Sequence, residues 1–283
     1  MNMKKSINNI FLLAFGIIIF NSCDKIENPY QVSSEGTSTR KVLIEEFTGH
    51  TCGNCPEGSL VLKELHDALG SQIIPLSVHA GSFAVSAVSG EKYRTEFRTQ
   101  AGEAAANEFQ IASYPIATVN RTLFNGLRTL PSGAWGTKAS ELLAADADVT
   151  MDITATLDTN TRNLAVSVNS TVVNAISGNY SISVGLVEDS IVDWQKFYAG
   201  VLGYPNETDV PDYMHRHVFR GNLNGNWGEA INLSIPVGQS VEYTAPVTTV
   251  NSNFNLKQLS VIAYIHNDEN KEIIQVEELH LLH

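Results

Sequence analysis

The sequence predicts an α/β domain followed by an all-β sandwich, and three observations carry that expectation. Between Lys41 and Gly81 a short apolar strand, a helical segment and a second strand follow one another. From residue 147 onward the apolar period shortens to two and stays there. The third observation is length: once a leader of 22 residues is set aside, 261 of the 283 residues remain, enough for two domains.

The leader is residues 1–22. Lys4 and Lys5 precede the apolar run "FLLAFGIIIF", and "NSC" follows, the pattern of a secretory signal. The run is about half of the roughly 20 residues a membrane span needs. Cys23 would then open the mature chain, and "FNSC" resembles a bacterial lipobox, which implies lipidation at Cys23. A plain secreted protein with one unpaired thiol is the alternative. Loss of Lys4 and Lys5 takes the formal charge from −12 to −14. That balance argues against nucleic acid, whose phosphates select Lys and Arg. Beyond Cys23 only Cys52 and Cys55 remain, which excludes a scaffold stapled by many disulfides.

Residues 23–39 are polar and aperiodic and read as a flexible tether. The α/β domain is expected over 40–146. "KVLIEEF" is its first strand, "EGSLVLKELHDALG" a helix with Leu60, Leu62, Leu65 and Leu69 near helical spacing, and "SQIIPLSVHAG" the second strand. Residues 82–108 are rich in helix formers and are expected as a helical insertion carrying Tyr93 and Phe97. "SYPIATVNRT" is a turn into a third strand. "PSGAWGTKASELLAAD" is a closing helix with Ser132 as N-cap. Over 147–283, "VTMDITATLD", "LAVSVNSTVV", "YSISVGLVED", "SVEYTAPVTT", "LSVIAYIHN" and "EIIQVEEL" alternate as strands do, with a seventh strand around "AINLSIP". Residues 189–228 interrupt them as a long loop holding Trp194, Phe197, Tyr198, Tyr204, Tyr213, Phe219 and Trp227.

The stretch "EEFTGHTCGNCPEG" carries the chemistry. A bond between Cys52 and Cys55 closes so small a loop that it removes little unfolded-state entropy, so a stabilising staple is a poor account of it. A strand, a two-cysteine turn and a helix start place the thiols at a helix N-terminus, which lowers thiol pKa. Cys52 is then the nucleophile and Cys55 the resolving thiol. Two other readings stay open: a vestigial pair on a binding domain, and a zinc site completed by His50 and His79. His50, as imidazolium, would favour the Cys52 thiolate.

The motif and its surroundings resemble the thioredoxin superfamily over roughly residues 40–146. The resemblance implies that Glu46, six residues before Cys52, relays a proton for the second cysteine. It also implies that Pro115 of "FQIASYPIATVN" is a cis-proline shaping the substrate groove, and that no cofactor is needed. Thr51 and Pro56 depart from the residues usual beside such a pair.

In "YMHRHVFRGNLNGNWGE", His215 and His217 would share one face of a strand, as a metal pair or as a polar rim. Trp194, Tyr213 and Trp227 are candidate ligand-binding aromatics, or else a plug between the domains. The lipobox, the cysteine stretch, the "SYP" turn and this last segment together resemble the Bacteroidetes outer membrane protein 28-related family. That resemblance implies a lipoprotein of the outer membrane, with a thioredoxin-like domain followed by an immunoglobulin-like one. Two functions are therefore expected. One is dithiol–disulfide exchange with protein thiols or disulfides. The other is a surface binding protein or adhesin with a non-catalytic scaffold.

Overall fold

The computed structural model describes residues 28–34 and 39–282, so the leader, Cys23 and most of the tether lie outside the described residues. Within the stretch read as tether, Tyr30–Ser33 form a strand, β1. Next come β2 (Val42–Thr48), α1 (Cys55–Leu69) and β3 (Ile73–His79). Every residue of β2 and β3 is buried, as expected of central strands covered on both faces. Gly70, at φ 59°, ends α1 where a side chain would be strained. Within 82–108 a 3-10 turn spans Ser82–Ala84 and the α-helix is confined to the last part, α2 (Gln100–Glu108), where Thr99 caps it by accepting from the Gly102 N–H. Then follow β4 (Ile116–Val119), β5 (Thr129–Leu130) and α3 (Ser132–Leu143). Pro131, and not Ser132, occupies the N-cap position of α3.

The second half supplies β6 (Val149–Leu157), β7 (Asn163–Val172), β8 (Tyr180–Glu188), β9 (Ile191–Phe197), β10 (Thr208–His215) and β11 (Val218–Asn222). It continues with β12 (Glu229–Ile231), β13 (Ser240–Thr244), β14 (Thr248–Thr249), β15 (Leu259–Asn267) and β16 (Ile273–His280). The stretch read as a long loop is thus mostly strand, with β9 and β10 pairing as an antiparallel hairpin.

The expected fold class, an α/β thioredoxin-like domain followed by a separate all-β immunoglobulin-like sandwich, is overturned. Strand dominates the described residues, which hold three α-helices. A nine-stranded sheet draws on both halves, in the order β16-β15-β8-β11-β3-β2-β4-β5, with β12 on β8. The junction is β11. It runs antiparallel to β8 and parallel to β3, where Val218 faces Ser77 and the Ser77 N–H donates to His217 O at 2.8 Å. An edge strand left with unpaired amides is costly to expose, and β11 removes that edge from β3.

Packing crosses the same junction. Leu43, Phe47, Leu76 and Val78 share one apolar cluster with Val187, Phe219, Ile262, Tyr264 and Val276. The buried Arg121 bonds Glu45 of β2 at 2.6 and 2.8 Å and Tyr264 of β15 at 3.2 Å. On the other face of β2, α1 and α3 bury Leu62, Trp135 and Ala139 with Val42 and Ile44. The second sheet, β1-β6-β7-β13 with β14, packs on β8 and β15 through a cluster that includes Ile153, Val168, Val184 and Val261.

Candidate functional site

Cys52 and Cys55 are joined by a disulfide where β2 gives way to α1. The turn is held by its own backbone, with Cys52 N–H donating to Gly49 O at 3.0 Å and Cys55 N–H to Cys52 O at 3.2 Å. The Thr51 hydroxyl and N–H both donate to Phe83 O. Pro56 suits the first turn of α1, where its missing N–H has no helical partner to lose. The cysteines are only 2% and 1% exposed.

Glu46 and Pro115 meet over that first turn. The Tyr114–Pro115 peptide is cis, as the resemblance implies. A Cβ on Gly58 would lie 2.6 Å from Glu46 Oε1 and 2.8 Å from Pro115 Cβ, so only glycine lets the three come together. Glu46 is fully buried, and burial pushes its carboxyl up to about 8 against the opposing hydroxyl bonds of Ser59 and Ser77. At neutral pH it therefore holds a proton. A groove of about 210 Å³ beside α1 leads to Ser59, Ser77 and Tyr213 from solvent. Its rim carries the exposed side chains of Leu60, Leu202 and Met214.

The β9–β10 hairpin covers the disulfide. Gln195 Nε2 donates to Cys52 O at 3.0 Å, Lys196 N–H to His50 O at 2.9 Å, and Tyr198 N–H to Gly53 O at 3.0 Å. Gly53 lies so near the Tyr198 ring that a Cβ there would sit 2.2 Å from it. Side chains pin the hairpin to the 82–99 segment: Lys92 and Tyr93 bond Asp209, and Thr95 bonds Asp193.

The remaining candidates are scattered. Trp194, on β9, packs by Tyr93 with Lys92 over its ring, and Tyr213, on β10, packs on Phe197 and His215. Trp227 lies elsewhere, against Phe109 and His266 with Arg121 and Lys271 over its ring, apart from Trp194 and Tyr213. His215 and His217 do not form a pair. His217 sits at φ 51°, so the strand breaks between them and His215 packs on His79 while His217 packs on His66. Burial lowers the pKa of His50, which is 1% exposed and pairs with Val85 O, so it supplies no positive charge to Cys52 at neutral pH. No group of three or more His, Cys, Asp or Glu among the described residues is placed to hold a metal ion.

Sequence reasoning missed Gln195 and Ser59, and it saw Tyr198 only as a loop aromatic. Gly58 was the available signal for Ser59 and its neighbours. A glycine inside a helix costs about 1 kcal/mol against alanine and so marks a close approach. Nothing in the spacing links Tyr198 to Gly53 across 145 residues.

The profile of the family "Outer membrane protein Omp28" matches residues 84–281, most of the chain, beginning downstream of both cysteines. Among solved structures, HBP35 of Porphyromonas gingivalis is similar at 16% identity, over 87% of this chain and 76% of that one, with a TM-score of 0.59. Protein AGR_C_4864 from Agrobacterium tumefaciens is similar at 11% identity, over 86% and 95%, with a TM-score of 0.51. At these identities the likeness is one of fold alone. A domain of the outer membrane lipoprotein Omp28 from Porphyromonas gingivalis aligns over 48% of this chain at 20% identity, but its TM-score of 0.31 carries no argument. No curated protein matches. With its profile match running through β11 and the whole second half, this chain belongs to the Omp28 family of outer membrane proteins, and its location is the outer membrane.

Proposed function

We propose that this outer membrane protein, lipid-anchored at Cys23, exchanges dithiols and disulfides with protein substrates at Cys52–Cys55. The observation that carries the reading is the protonated Glu46 carboxyl, buried against the first turn of the Cys55 helix beside Pro115. A buried carboxyl with a pKa near the working pH is suited to proton transfer and is costly to keep without a use.

In the oxidising direction a substrate thiolate attacks Cys52 Sγ, and the Cys52–Cys55 bond breaks. Cys55 leaves as a thiolate and takes the Glu46 proton. The second substrate thiolate then attacks the substrate sulfur of the mixed disulfide, releasing Cys52. The substrate loses two electrons and the protein gains them. Run backwards, ionised Glu46 accepts the Cys55 proton and the substrate disulfide is reduced. Because both sulfurs are buried, the β9–β10 hairpin must lift before a substrate reaches Cys52.

Thiol trapping against glutathione tests the reading. A reduction potential within about −270 to −120 mV, the span of known exchangers, supports it. Exchange with a protein substrate should be lost in Cys52→Ser. A pair that resists reduction across that span, or a Cys52→Ser variant that exchanges as before, overturns it. The rival reading, a surface binding protein or adhesin, draws less support because Trp227 packs on Phe109 and His266, apart from Trp194 and Tyr213 on the hairpin; the exposed Leu60–Leu202–Met214 rim is the feature in its favour.

A further inference from the structure

We propose that the cavity at the end of the sandwich remote from the disulfide binds one long-chain fatty acid, its tail between the sheets and its carboxylate at Lys257. The cavity holds about 760 Å³, within the range of small-molecule sites. Its apolar wall is Val32 of β1, Phe254, Leu256, Leu281 and Leu282. These side chains continue the sandwich core, with Leu281 fully buried in it and the other four packed against it while partly buried. An apolar slot of this kind opens a core to water unless a tail fills it.

The charged lining is all basic, although the chain carries a formal charge of −12. Arg162 is fixed by donating to the carbonyls of Val250, Asn251 and Phe254, at 3.0, 2.6 and 2.7 Å, and so builds the wall and its positive lip. Lys257 stands on a short turn in which Asn255 caps its N–H, and its exposed ammonium has no carboxylate partner among the described residues. An acidic head group is what that lip selects.

Location names the source. A protein held at the outer membrane has acyl chains within reach. Tyr30, on the cavity wall, follows Cys23 by seven residues, a reach of at most about 25 Å. That step rests on the lipid anchor of the proposed function and not on its exchange chemistry, so a failed exchange assay leaves it standing. One slot and one cationic lip fit a single tail, which favours a free fatty acid over a two-tailed phospholipid.

The test is photolabelling of the mature full-length lipoprotein in phosphatidylcholine vesicles carrying diazirine-palmitate, with crosslinks mapped by peptide mass spectrometry. Crosslinks are expected on the peptides containing Phe254–Lys257 and Leu281–Leu282, and excess palmitate should remove them. Leu256→Arg should lower labelling at least about tenfold, and Lys257→Glu several-fold with Lys257→Arg retaining it. Lys257 is exposed, so its variants keep the test alive if Leu256→Arg fails to fold. Crosslinks elsewhere, labelling unchanged in Lys257→Glu, or equal labelling of these peptides by diazirine-phosphatidylcholine would each overturn the proposal.

Discussion

Glu46 keeps its proton in the folded chain up to about pH 8, whereas in the unfolded chain it ionises near its ordinary value of 4.5. Between those two values unfolding releases a proton that folding retains, so its burial costs stability progressively as pH rises from 4.5 to 8. Glu46→Gln removes that cost. Its melting temperature should match the parent's near pH 4.5 and exceed it increasingly above, by the equivalent of about 3 kcal/mol at pH 7. Parallel pH-dependent melts of the two proteins check this; identical slopes would mean that Glu46 is ionised in the fold. The residues of this corner were legible in the sequence because they lie in short motifs. Glu46, Cys52 and Cys55 span ten positions, and "SYP" announces its own turn. What was not legible is the state of His50, since its burial comes from Tyr93 and Phe97 more than forty positions on.

At the scale of elements the β9–β10 hairpin decides access. Its hold on the cysteine turn consists of two backbone bonds, the Gln195 amide and the Tyr198 ring lying on Gly53. Tyr198→Gly removes the ring and leaves the backbone bond, so local opening becomes easier without loss of the sheet. Reduction of the disulfide by dithiothreitol should speed up about tenfold, while the global melt moves little. An unchanged rate would show that some other segment limits access. The sequence reads as a loop here because the period-two alternation breaks, and Gly200, Gly203, Pro205 and Asn206 punctuate the stretch. Those residues instead form the connection between two strands. The helix expected within 82–108 is confined to α2 for a related reason: residues from Lys92 to Arg98 spend their side chains on Asp209, Asp193 and one another rather than on a helix face.

The whole molecule is tied together at the junction of β3 and β11 and by the Glu45–Arg121–Tyr264 bonds. Arg121→Met would strand Glu45 in the interior without its partner, a loss of about 3–5 kcal/mol. Denaturant melts should show it, with Glu45→Gln/Arg121→Met recovering part; a loss under about 1 kcal/mol would mean water reaches Glu45. The two-domain reading had no access to this tie. Alternation reports which face of a strand is buried and says nothing of which strand lies beside it.

The same junction bears on the order in which the chain matures. β3 is complete at His79, but the strand that closes its open side begins at Val218. A chain delivered N-terminus first therefore carries an apolar, unpaired strand edge while nearly 140 further residues arrive. Pairing across so long a separation is slow, and exposed strand edges aggregate meanwhile. Truncations ending before Val218 should therefore be insoluble rather than half-folded, because they leave the open edge of β3 for good.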